Sequence, residues 1–294
     1  MSKDMITVVV PTLNEEKSIG QLIDELFAEG YRNILVVDGY STDGTVEVVR
    51  SKGVEVVYQR GVGKAGAVMT AIEVVKTPYI LVMDGDLTYD PRDIERLLAH
   101  AGGNDEVVGY RVNRENIPLL HRFGNWIISL TFSLMFGRRI KDPCSGMYLL
   151  RTDVARRLEL SSGGFDIEVE LAGQIASMGR VAEVPVSYRR RVGRGKLRAW
   201  RDGSRILMAA LRVAWLYNPI FFLSIIAALL AVPGALILLQ QLTLRYIYGE
   251  WSLGWLWLGL ILFIIGLQGL TVTVISLLLK RLERRIFQAL REIK

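Results

Sequence analysis

The sequence has 294 residues, of which 51% are hydrophobic and 22% charged, and its formal net charge is +6. This length allows one large domain or two smaller ones, and the hydrophobic fraction is high for a soluble protein, so some apolar surface is expected to face lipid. The single cysteine, Cys144, excludes an intrachain disulfide and is typical of a reducing compartment.

Charge is divided unevenly along the chain. Residues 186–294 carry sixteen Lys and Arg against four Asp and Glu, which leaves residues 1–185 with a net charge of −6. A basic C-terminal part joined to apolar segments indicates contact with an anionic membrane surface and not with nucleic acid. The first residues, MSKDMITVVV, lack the features of a signal peptide and are predicted to lead into the first strand.

The first hundred residues alternate between predicted strands and predicted helices. Strands are predicted at residues 6–10, 34–37, 54–58 and 79–83, and helices at residues 18–30, 42–51 and 66–76. Such alternation predicts an α/β fold with a mostly parallel sheet that is covered by helices on both faces. Ligands of these sheets bind outside the C-terminal ends of the strands, where polar residues follow the first, second and fourth strands.

The fourth predicted strand runs directly into Asp84-Gly85-Asp86. Two carboxylates separated by one residue can converge on one divalent cation, and their hard oxygen ligands suit Mg²⁺ or Mn²⁺ carrying a diphosphate. Taken alone the triplet is weak, because an ordinary turn after a strand is the commoner explanation.

Two long uncharged segments follow at residues 220–239 and 255–279. At about 1.5 Å per helical residue, each can cross the roughly 30 Å hydrocarbon core of a bilayer. Tyr and Trp near their ends are typical of the aromatic belts of membrane spans, and two buried core helices are the alternative. The connector at residues 240–254 carries only Arg245 and Glu250, whereas basic residues crowd both outer flanks. We therefore expect a two-span membrane protein with its N-terminal domain and C-terminus in the cytoplasm.

A third apolar stretch, at residues 117–136, contains His121, Arg122 and Asn125. Its uninterrupted part, residues 126–136, is too short to span a bilayer. Together with residues 206–216, it is interpreted either as a helix lying at the membrane interface or as a helix packed against the sheet. The sequence leaves both readings open.

Seven sequence blocks occur in an order that resembles the family two glycosyltransferases. The blocks are VVVPTLNEE (8–16), VVDGYSTDGT (36–45), GKAGAVMTA (63–71), MDGDLTYDP (83–91), DPCSGMYLLR (142–151), GFDIEVE (164–170) and VPVSYRRRVGRGKL (184–197). The likeness covers roughly residues 6–215 and implies a GT-A fold, that is, a Rossmann-like, mostly parallel sheet. The branch that it resembles makes polyprenyl-phosphate-linked or dolichyl-phosphate-linked sugars.

The resemblance implies a domain order as well. The GT-A catalytic domain would occupy residues 1–197, with a juxtamembrane amphipathic segment at residues 198–217. A two-helix transmembrane domain would follow at residues 218–280, and a basic cytoplasmic tail at residues 281–294.

On the donor side, the resemblance implies a nucleotide-sugar pocket and a metal. The residues that match the pocket are Pro11, Leu13, Asn14, Glu15, Asp38, Lys64, Asp84, Gly85 and Asp86. Asp84 and Asp86 would hold Mg²⁺ or Mn²⁺ on the donor diphosphate. Other readings are a strand-ending turn for Pro11 and Asn14 and helix capping for Asp38 and Asp43. For Asp43 we favour the cap, and for Asp38 contact with the ligand.

The chain departs from the family pattern at two donor-side positions. Many relatives have Asp-Asp-Gly-Ser where this chain has Asp38-Gly39-Tyr40-Ser41, so one carboxylate is missing. Some mannosyl enzymes have Gln where this chain has Thr88, which is a weaker partner for a metal. We therefore expect UDP-glucose or UDP-N-acetylglucosamine as the donor, with GDP-mannose as the alternative.

On the acceptor side, guanidinium groups suit a lipid monophosphate because their planar donor forks match phosphate oxygens. The residues at family-matching acceptor positions or close to them are Arg111, Arg122, Asn125, Ser145, Arg189, Arg191 and Lys196. Attraction to lipid head groups in general is the alternative for the run of arginines at residues 189–191. Among these residues, Arg111, Arg122 and Arg191 are expected to act in catalysis together with Asp84 and Asp86.

The expected reaction is a single displacement at the anomeric carbon, which inverts the linkage, and an ionised lipid phosphate needs no side chain to remove a proton. A hydroxyl acceptor on a glycolipid or glycan is the first alternative and would require a general base, for which Asp166, Glu168 and Glu170 are the candidates. For Asp166 we favour helix capping instead. A non-catalytic membrane partner that has kept a transferase fold is the second alternative. The sequence does not identify the sugar, the length of the isoprenoid or the oligomeric state.

Overall fold

The computed structural model describes residues 2–112, 115, 122, 125, 126, 128–130, 132, 133, 140–160, 167–191, 208, 211, 215 and 219–292. The predicted residues Asp166 and Lys196 lie outside this part of the chain. Two compact units are present, Met1–Tyr217 and Asn218–Lys294.

The first unit contains a seven-stranded mixed sheet with the order β3-β2-β1-β4-β6-β5-β7. Its strands are Ile6–Thr12 (β1), Ile34–Asp38 (β2), Glu55–Tyr58 (β3), Tyr79–Met83 (β4), Glu106–Arg111 (β5), Met147–Arg151 (β6) and Val181–Val186 (β7). Only β6 is antiparallel to its neighbours, β4 and β5. The mostly parallel sheet that the sequence predicts is therefore confirmed.

Helices of the first unit cover both faces of the sheet. They are Glu16–Ala28 (α1), Thr45–Ser51 (α2), Gly63–Val74 (α3), Ile94–Ala99 (α4), Thr152–Ala155 (α5) and Ile167–Met178 (α6), with short 3₁₀ turns at Lys3–Met5 and Pro91–Asp93. Alternate residues of β1 point to opposite faces: Val8 and Val10 pack with α1, and Val9 packs with α3 and α6. The resulting two-sided core fixes the sheet and therefore the loops at its C-terminal edge.

The structure extends β1 two residues beyond its predicted end. The sequence predicts that the strand stops at Pro11, because proline cannot donate to a strand ladder. The pairing of β1 with β4 ends at Val9, which lies opposite Val82, whereas its pairing with β2 continues to Thr12, opposite Asp38. Pro11 thus lies where the strand has only one neighbour, a position that tolerates a missing donor.

The described residues between 117 and 136 are helical and have two apolar sides. Ile128 and Phe132 are buried in a cluster with residues of α6, such as Val169 and Ala172. Trp126 and Leu130 are exposed instead. One side of this segment therefore packs as an ordinary helix, and the other leaves apolar surface free, as an interfacial helix requires.

The second unit consists of two long helices, Pro219–Tyr248 (α7) and Leu253–Glu292 (α8). Each contains a 27-residue stretch, Phe222–Tyr248 and Leu253–Leu279, that is long and apolar enough to cross a membrane. Large apolar side chains such as Leu229 and Trp257 are more than half exposed, which argues against two core helices of a soluble protein.

One prediction about this unit is wrong in detail. The connector is only residues 249–252 and not 240–254, because helical hydrogen bonding continues to Tyr248, and Gly249 then turns with a φ of 74°. The segment predicted as a tail, residues 281–294, is helical as far as Glu292.

Candidate functional site

The loops that follow β1 and β2 are bonded to each other. The backbone N–H of Asn14 donates to Ser41 Oγ at 2.8 Å, and Asn14 Oδ1 accepts from the N–H of Thr42 at 2.8 Å. The Asp38 carboxylate is fully buried and accepts from both the N–H and the Oγ of Ser41, at 2.8 and 2.5 Å. Two predicted nucleotide-pocket residues, Asn14 and Asp38, thus lie in one cross-linked edge of the sheet.

The remaining donor-side predictions fall on the same edge. Pro11 is the second-last residue of β1, and Leu13, directly after the strand, is 41% exposed. Asp43 accepts from the N–H of Thr45 at 3.1 Å and from the N–H of Glu16 at 3.3 Å. Asp43 therefore caps the start of α2, as predicted, and also ties it to the start of α1.

Asp84, Gly85 and Asp86 form the turn that leaves β4. Asp86 is buried, and its Oδ1 accepts from the N–H of Thr88 at 3.1 Å and from the Thr88 hydroxyl at 2.5 Å. Burial and the neighbouring charge of Asp84 raise the pKa of Asp86. Thr88 thus holds the Asp86 carboxylate through two hydrogen bonds. The bond from its hydroxyl explains why a threonine occupies this position.

Lys64, at the start of α3, lies between two carboxylates. Its Nζ is 2.6 Å from Asp84 Oδ1 and 2.5 Å from Glu168 Oε1 on α6. Burial alone would lower the pKa of Lys64, but Asp84 and Glu168 outweigh it and raise that pKa well above its usual value. Lys64 is therefore a fixed cation at the C-terminal edge of the sheet.

Arg191 lies between two other carboxylates. Its guanidinium is 3.0 Å from Glu15 Oε1 and 3.1 Å from Asp86 Oδ2. Nε of the same group is buried and has no hydrogen-bond partner among the residues that the structure describes. We call Glu15, Lys64, Asp84, Asp86, Glu168 and Arg191 the charged cluster; it joins the loops after β1, β4 and β7 to α3 and α6.

Two arginines that are predicted to bind the acceptor phosphate form ion pairs with carboxylates. They are Arg189 and Arg111. Arg189 contacts Glu25 and Asp90 at 2.7 Å each, outside the charged cluster. Arg111 is buried in a two-pronged pair with Asp142, with Nε and Nη2 both 2.6 Å from its carboxylate oxygens. The acceptor role of both arginines stays a prediction. In that role each guanidinium would have to bind the acceptor phosphate in addition to its carboxylate partner.

Ser145, a predicted acceptor-side residue, is buried in the loop before β6. It is 1% exposed, and its hydroxyl donates to the carbonyl of Gly109 at 2.5 Å and lies 3.3 Å from the hydroxyl of Tyr89. That Tyr89 hydroxyl accepts from the N–H of Gly146 at 2.8 Å. Ser145 therefore holds the loop before β6 in place, and its acceptor role stays a prediction.

Arg122 is exposed and Asn125 half-buried, both at helical positions. The chain around them lies outside the described residues, as does Lys196, so their acceptor roles stay predictions. Within the described residues, no group of three or more His, Cys, Asp and Glu side chains is arranged to hold a metal ion.

Sequence reasoning missed two neighbours of the predicted site. Asp142 neutralises Arg111, and Gly146 lies directly against the carboxylate of Asp84. Both belong to the block DPCSGMYLLR, so this motif was the available signal. Glu168 was predicted only as an alternative base, and the structure makes it the partner of Lys64.

Comparison with known proteins identifies the family. Residues 7–158 match the family model described as glycosyl transferase family 2. Glycosyltransferase AglJ of Haloferax volcanii is 36% identical over 227 residues, which are 74% of this chain and 75% of the relative. The dolichyl-phosphate hexose transferase of the same organism is 31% identical over 216 residues, 71% of this chain and 94% of the relative.

A solved structure shares the fold. Glucosyl-3-phosphoglycerate synthase from Mycobacterium tuberculosis, in complex with Mn²⁺, UDP-glucose and phosphoglyceric acid, superposes with a TM-score of 0.58 at 20% identity. The match covers 71% of this chain and 79% of that one. A mixed α/β sheet of the GT-A type, the ordered sequence blocks and these relatives agree, and the chain belongs to the family two glycosyltransferases.

Proposed function

We propose that the protein transfers a sugar from a nucleotide sugar to dolichyl or polyprenyl phosphate, with inversion at the anomeric carbon and with the help of Mg²⁺ or Mn²⁺. The product would be a lipid phosphosugar that serves as a donor in glycosylation. UDP-glucose and UDP-N-acetylglucosamine are the favoured donors, and GDP-mannose is the alternative.

The charged cluster is the observation that carries this proposal. Asp84 and Asp86 leave β4 at the edge where ligands of parallel sheets bind, and Lys64 and Arg191 contact them within 3.1 Å. A transfer between a diphosphate and a monophosphate requires both signs of charge side by side, because anions on donor and acceptor must be neutralised while they approach. A simple turn would not account for two partly buried cations paired with its carboxylates.

Asp84 and Asp86 fit a divalent cation. Their carboxylates are hard oxygen ligands, and two protein carboxylates, with the remaining ligands from substrate phosphate and water, are typical of Mg²⁺ in phosphate chemistry. When bound, the metal would neutralise the departing nucleoside diphosphate. The Mn²⁺ and UDP-glucose in the M. tuberculosis neighbour support this proposal.

The chain's own cations would orient the phosphates. We propose that Lys64, which is paired with Asp84, contacts the donor phosphates, and that Arg191, which is paired with Asp86, aligns the acceptor phosphate. We further propose that Arg122, whose side chain is exposed, adds to acceptor binding. Because the phosphate oxygen that attacks the anomeric carbon is already ionised, no residue has to accept a proton.

The pairing of Glu168 favours a phosphate acceptor over a hydroxyl acceptor. A general base must be free to receive a proton, whereas Glu168 Oε1 is 2.5 Å from the ammonium of Lys64. Burial raises the pKa of Glu168, and Lys64 opposes that effect. Because Glu168 is paired with Lys64, it is better suited to hold that lysine in position than to accept a proton from a substrate hydroxyl.

The two apolar helices support a location at the membrane. We propose that α7 and α8 span the bilayer, with the catalytic domain at residues 1–197, the segment 198–217 and the basic residues 281–294 on the cytoplasmic side. Lipid phosphate would then be reached from the inner face of the bilayer.

The proposal is tested with full-length protein in detergent. It is incubated with UDP-glucose, UDP-N-acetylglucosamine or GDP-mannose, with polyprenyl phosphate or free polyprenol, and with Mn²⁺ or EDTA. Release of nucleoside diphosphate is expected only with polyprenyl phosphate and Mn²⁺. Asp84→Asn should lower turnover more than about 100-fold, because a bound metal supplies several kcal/mol of charge stabilisation.

The matched control is Asp24→Asn, which removes an exposed carboxylate that is paired with Lys52 and does not belong to the charged cluster, and it should leave turnover unchanged. Equal transfer to free polyprenol would instead establish a hydroxyl acceptor. Full activity of Asp84→Asn, or activity in EDTA, would remove the metal role.

A further inference from the structure

Two exposed tyrosines stack at the C-terminal edge of the sheet. β2 ends at Asp38 and β3 at Tyr58, which are register partners, and Tyr40 follows two residues after β2. The ring centroids of Tyr40 and Tyr58 are 5.4 Å apart, and the ring planes are inclined by 17°. Tyr40 is 63% exposed and Tyr58 44%. The pair thus presents an aromatic face to solvent beside the predicted nucleotide pocket.

The backbone at Tyr40 is in a conformation that bulky residues rarely adopt. Its φ is 63°, in the left-handed region. In the described part of the chain, the non-glycine residues with positive φ are Asn14, Tyr40 and Leu87, which follow β1, β2 and β4. Unfavourable backbone conformations persist where the surroundings enforce them and cluster at ligand sites. Here all three lie at the edge that carries the charged cluster.

Hydrogen bonds on both sides hold Tyr40 in this conformation. The preceding Asp38 is buried, and its carboxylate binds the N–H and hydroxyl of Ser41, the residue that follows Tyr40. The hydroxyl of Ser41 in turn accepts from the N–H of Asn14. The Tyr40 ring is therefore presented by a cross-linked loop, and its orientation is set before any ligand arrives.

We propose that Tyr40 and Tyr58 form a stacking platform for the nucleobase of the nucleotide-sugar donor, a role that rests on the proposed function. A base is flat and aromatic, and stacking on tyrosine favours any base regardless of its hydrogen-bonding pattern. The anionic end of the donor is drawn to Lys64 in the charged cluster. The neutral aromatic end then has the tyrosine pair available at the same sheet edge.

Binding measurements that separate the base from the phosphates test this platform. Titration calorimetry with Mn²⁺ compares UDP with inorganic pyrophosphate on full-length protein in detergent. Tyr40→Gly and Tyr58→Leu should each raise the Kd for UDP about tenfold, in the range of base stacking on aromatic side chains. The Kd for pyrophosphate should not change. Tyr40→Gly can fold, since glycine adopts a φ of 63° without strain.

Two controls accompany these variants. Tyr40→Phe keeps the ring and should retain the wild-type Kd for UDP. Val62→Ala removes another exposed apolar side chain, 75% exposed and just ahead of α3, and should have no effect on either ligand.

An unchanged Kd for UDP in both ring-deleting variants would overturn the platform. An equal loss of UDP and pyrophosphate would also overturn it, because the defect would then lie in phosphate binding. A defect confined to the KM for polyprenyl phosphate would overturn the platform as well, because the tyrosines would then bind the acceptor and not the nucleobase. If wild-type protein binds no nucleoside diphosphate and transfers no sugar, the proposed function itself fails, and this outcome is separate from the other three.

Discussion

Gly146 shows how a residue without a side chain can determine the position of a neighbouring side chain, here that of Asp84, the proposed metal ligand. A Cβ built on Gly146 would overlap the carboxylate of Asp84. The N–H of Gly146 is fixed by Tyr89, and Asp84 is bonded to Lys64, so neither can withdraw without breaking a hydrogen bond or an ion pair. Any side chain at position 146 must therefore displace Asp84.

We predict that Gly146→Ala lowers turnover by about 100-fold, since a displacement of a catalytic group by about 1 Å can have that effect. Mn²⁺ affinity, measured by calorimetry, should fall in parallel. Gly102→Ala is the control, because no atom lies within 4 Å of a Cβ at that position. Wild-type Mn²⁺ affinity in Gly146→Ala would contradict the role of Asp84 as a metal ligand.

For individual residues, the sequence predicts which side chains lie near the site but not which ion pairs and hydrogen bonds they form. Asp84 and Asp86 can be placed because they follow a buried strand. The pairs Lys64–Glu168 and Arg111–Asp142 join residues 104 and 31 positions apart, so local pattern contains no information about them. The hydrogen bond from the Ser145 hydroxyl to the Gly109 carbonyl is hidden from the sequence for the same reason, since Gly109 belongs to a different strand, β5.

Among the elements, β5 contains a carboxyl group with an unusual environment. Glu106 is 2% exposed, and within the described part of the chain its Oε2 has no hydrogen-bond partner. Burial, followed by the charge of Glu183 on β7, raises the pKa of Glu106 to about 8. The buried hydroxyl of Tyr148 on β6 also has no hydrogen-bond partner. Glu106 is therefore protonated in the folded protein at neutral pH.

This raised pKa predicts that stability falls with pH. Between the unfolded value near 4.5 and about 8, the folded state binds the proton that the unfolded state has released, so the free energy of unfolding decreases as pH rises through this interval. Chemical denaturation of wild-type protein at pH 6 and pH 8.5 should show this decrease. Glu106→Gln, which stays neutral, should lose most of that difference and be the more stable protein at pH 8.5.

A matched control for this prediction is Glu55→Gln on β3, an exposed position. It should keep the wild-type pH dependence. If Glu106→Gln unfolds with the same dependence on pH as wild type, Glu106 is ionised in the folded state and the argument from burial is wrong.

Element positions follow from local pattern more completely than element pairing does. The first four strands and the helices between them lie within three residues of their predicted bounds, because apolar periodicity and turn residues are local signals. The antiparallel insertion of β6 between β4 and β5 depends on long-range pairing. The alternation of strands and helices along the sequence does not indicate that β6 is inserted antiparallel between β4 and β5.

For the whole molecule, the length of the two apolar segments is the feature that the sequence predicts best. The runs at residues 220–239 and 255–279 both lie within long helices, and Gly266 packs against Ala231 so closely that a Cβ would overlap it. Length and composition establish only that these helices can cross a membrane. Orientation depends on where charged residues lie, which hydrophobic length does not specify.

The proposed topology predicts opposite accessibility for two introduced cysteines in a Cys144→Ser background. Ser252→Cys, in the exposed connector between α7 and α8, should react with a membrane-impermeant maleimide on intact cells. Glu55→Cys, exposed on β3, should react only after permeabilisation. Reaction of both on intact cells, or protection of both, would mean that the helices do not cross the bilayer as a pair. Reaction of Glu55→Cys alone would place the catalytic domain outside, where nucleotide sugars made in the cytoplasm would not reach it.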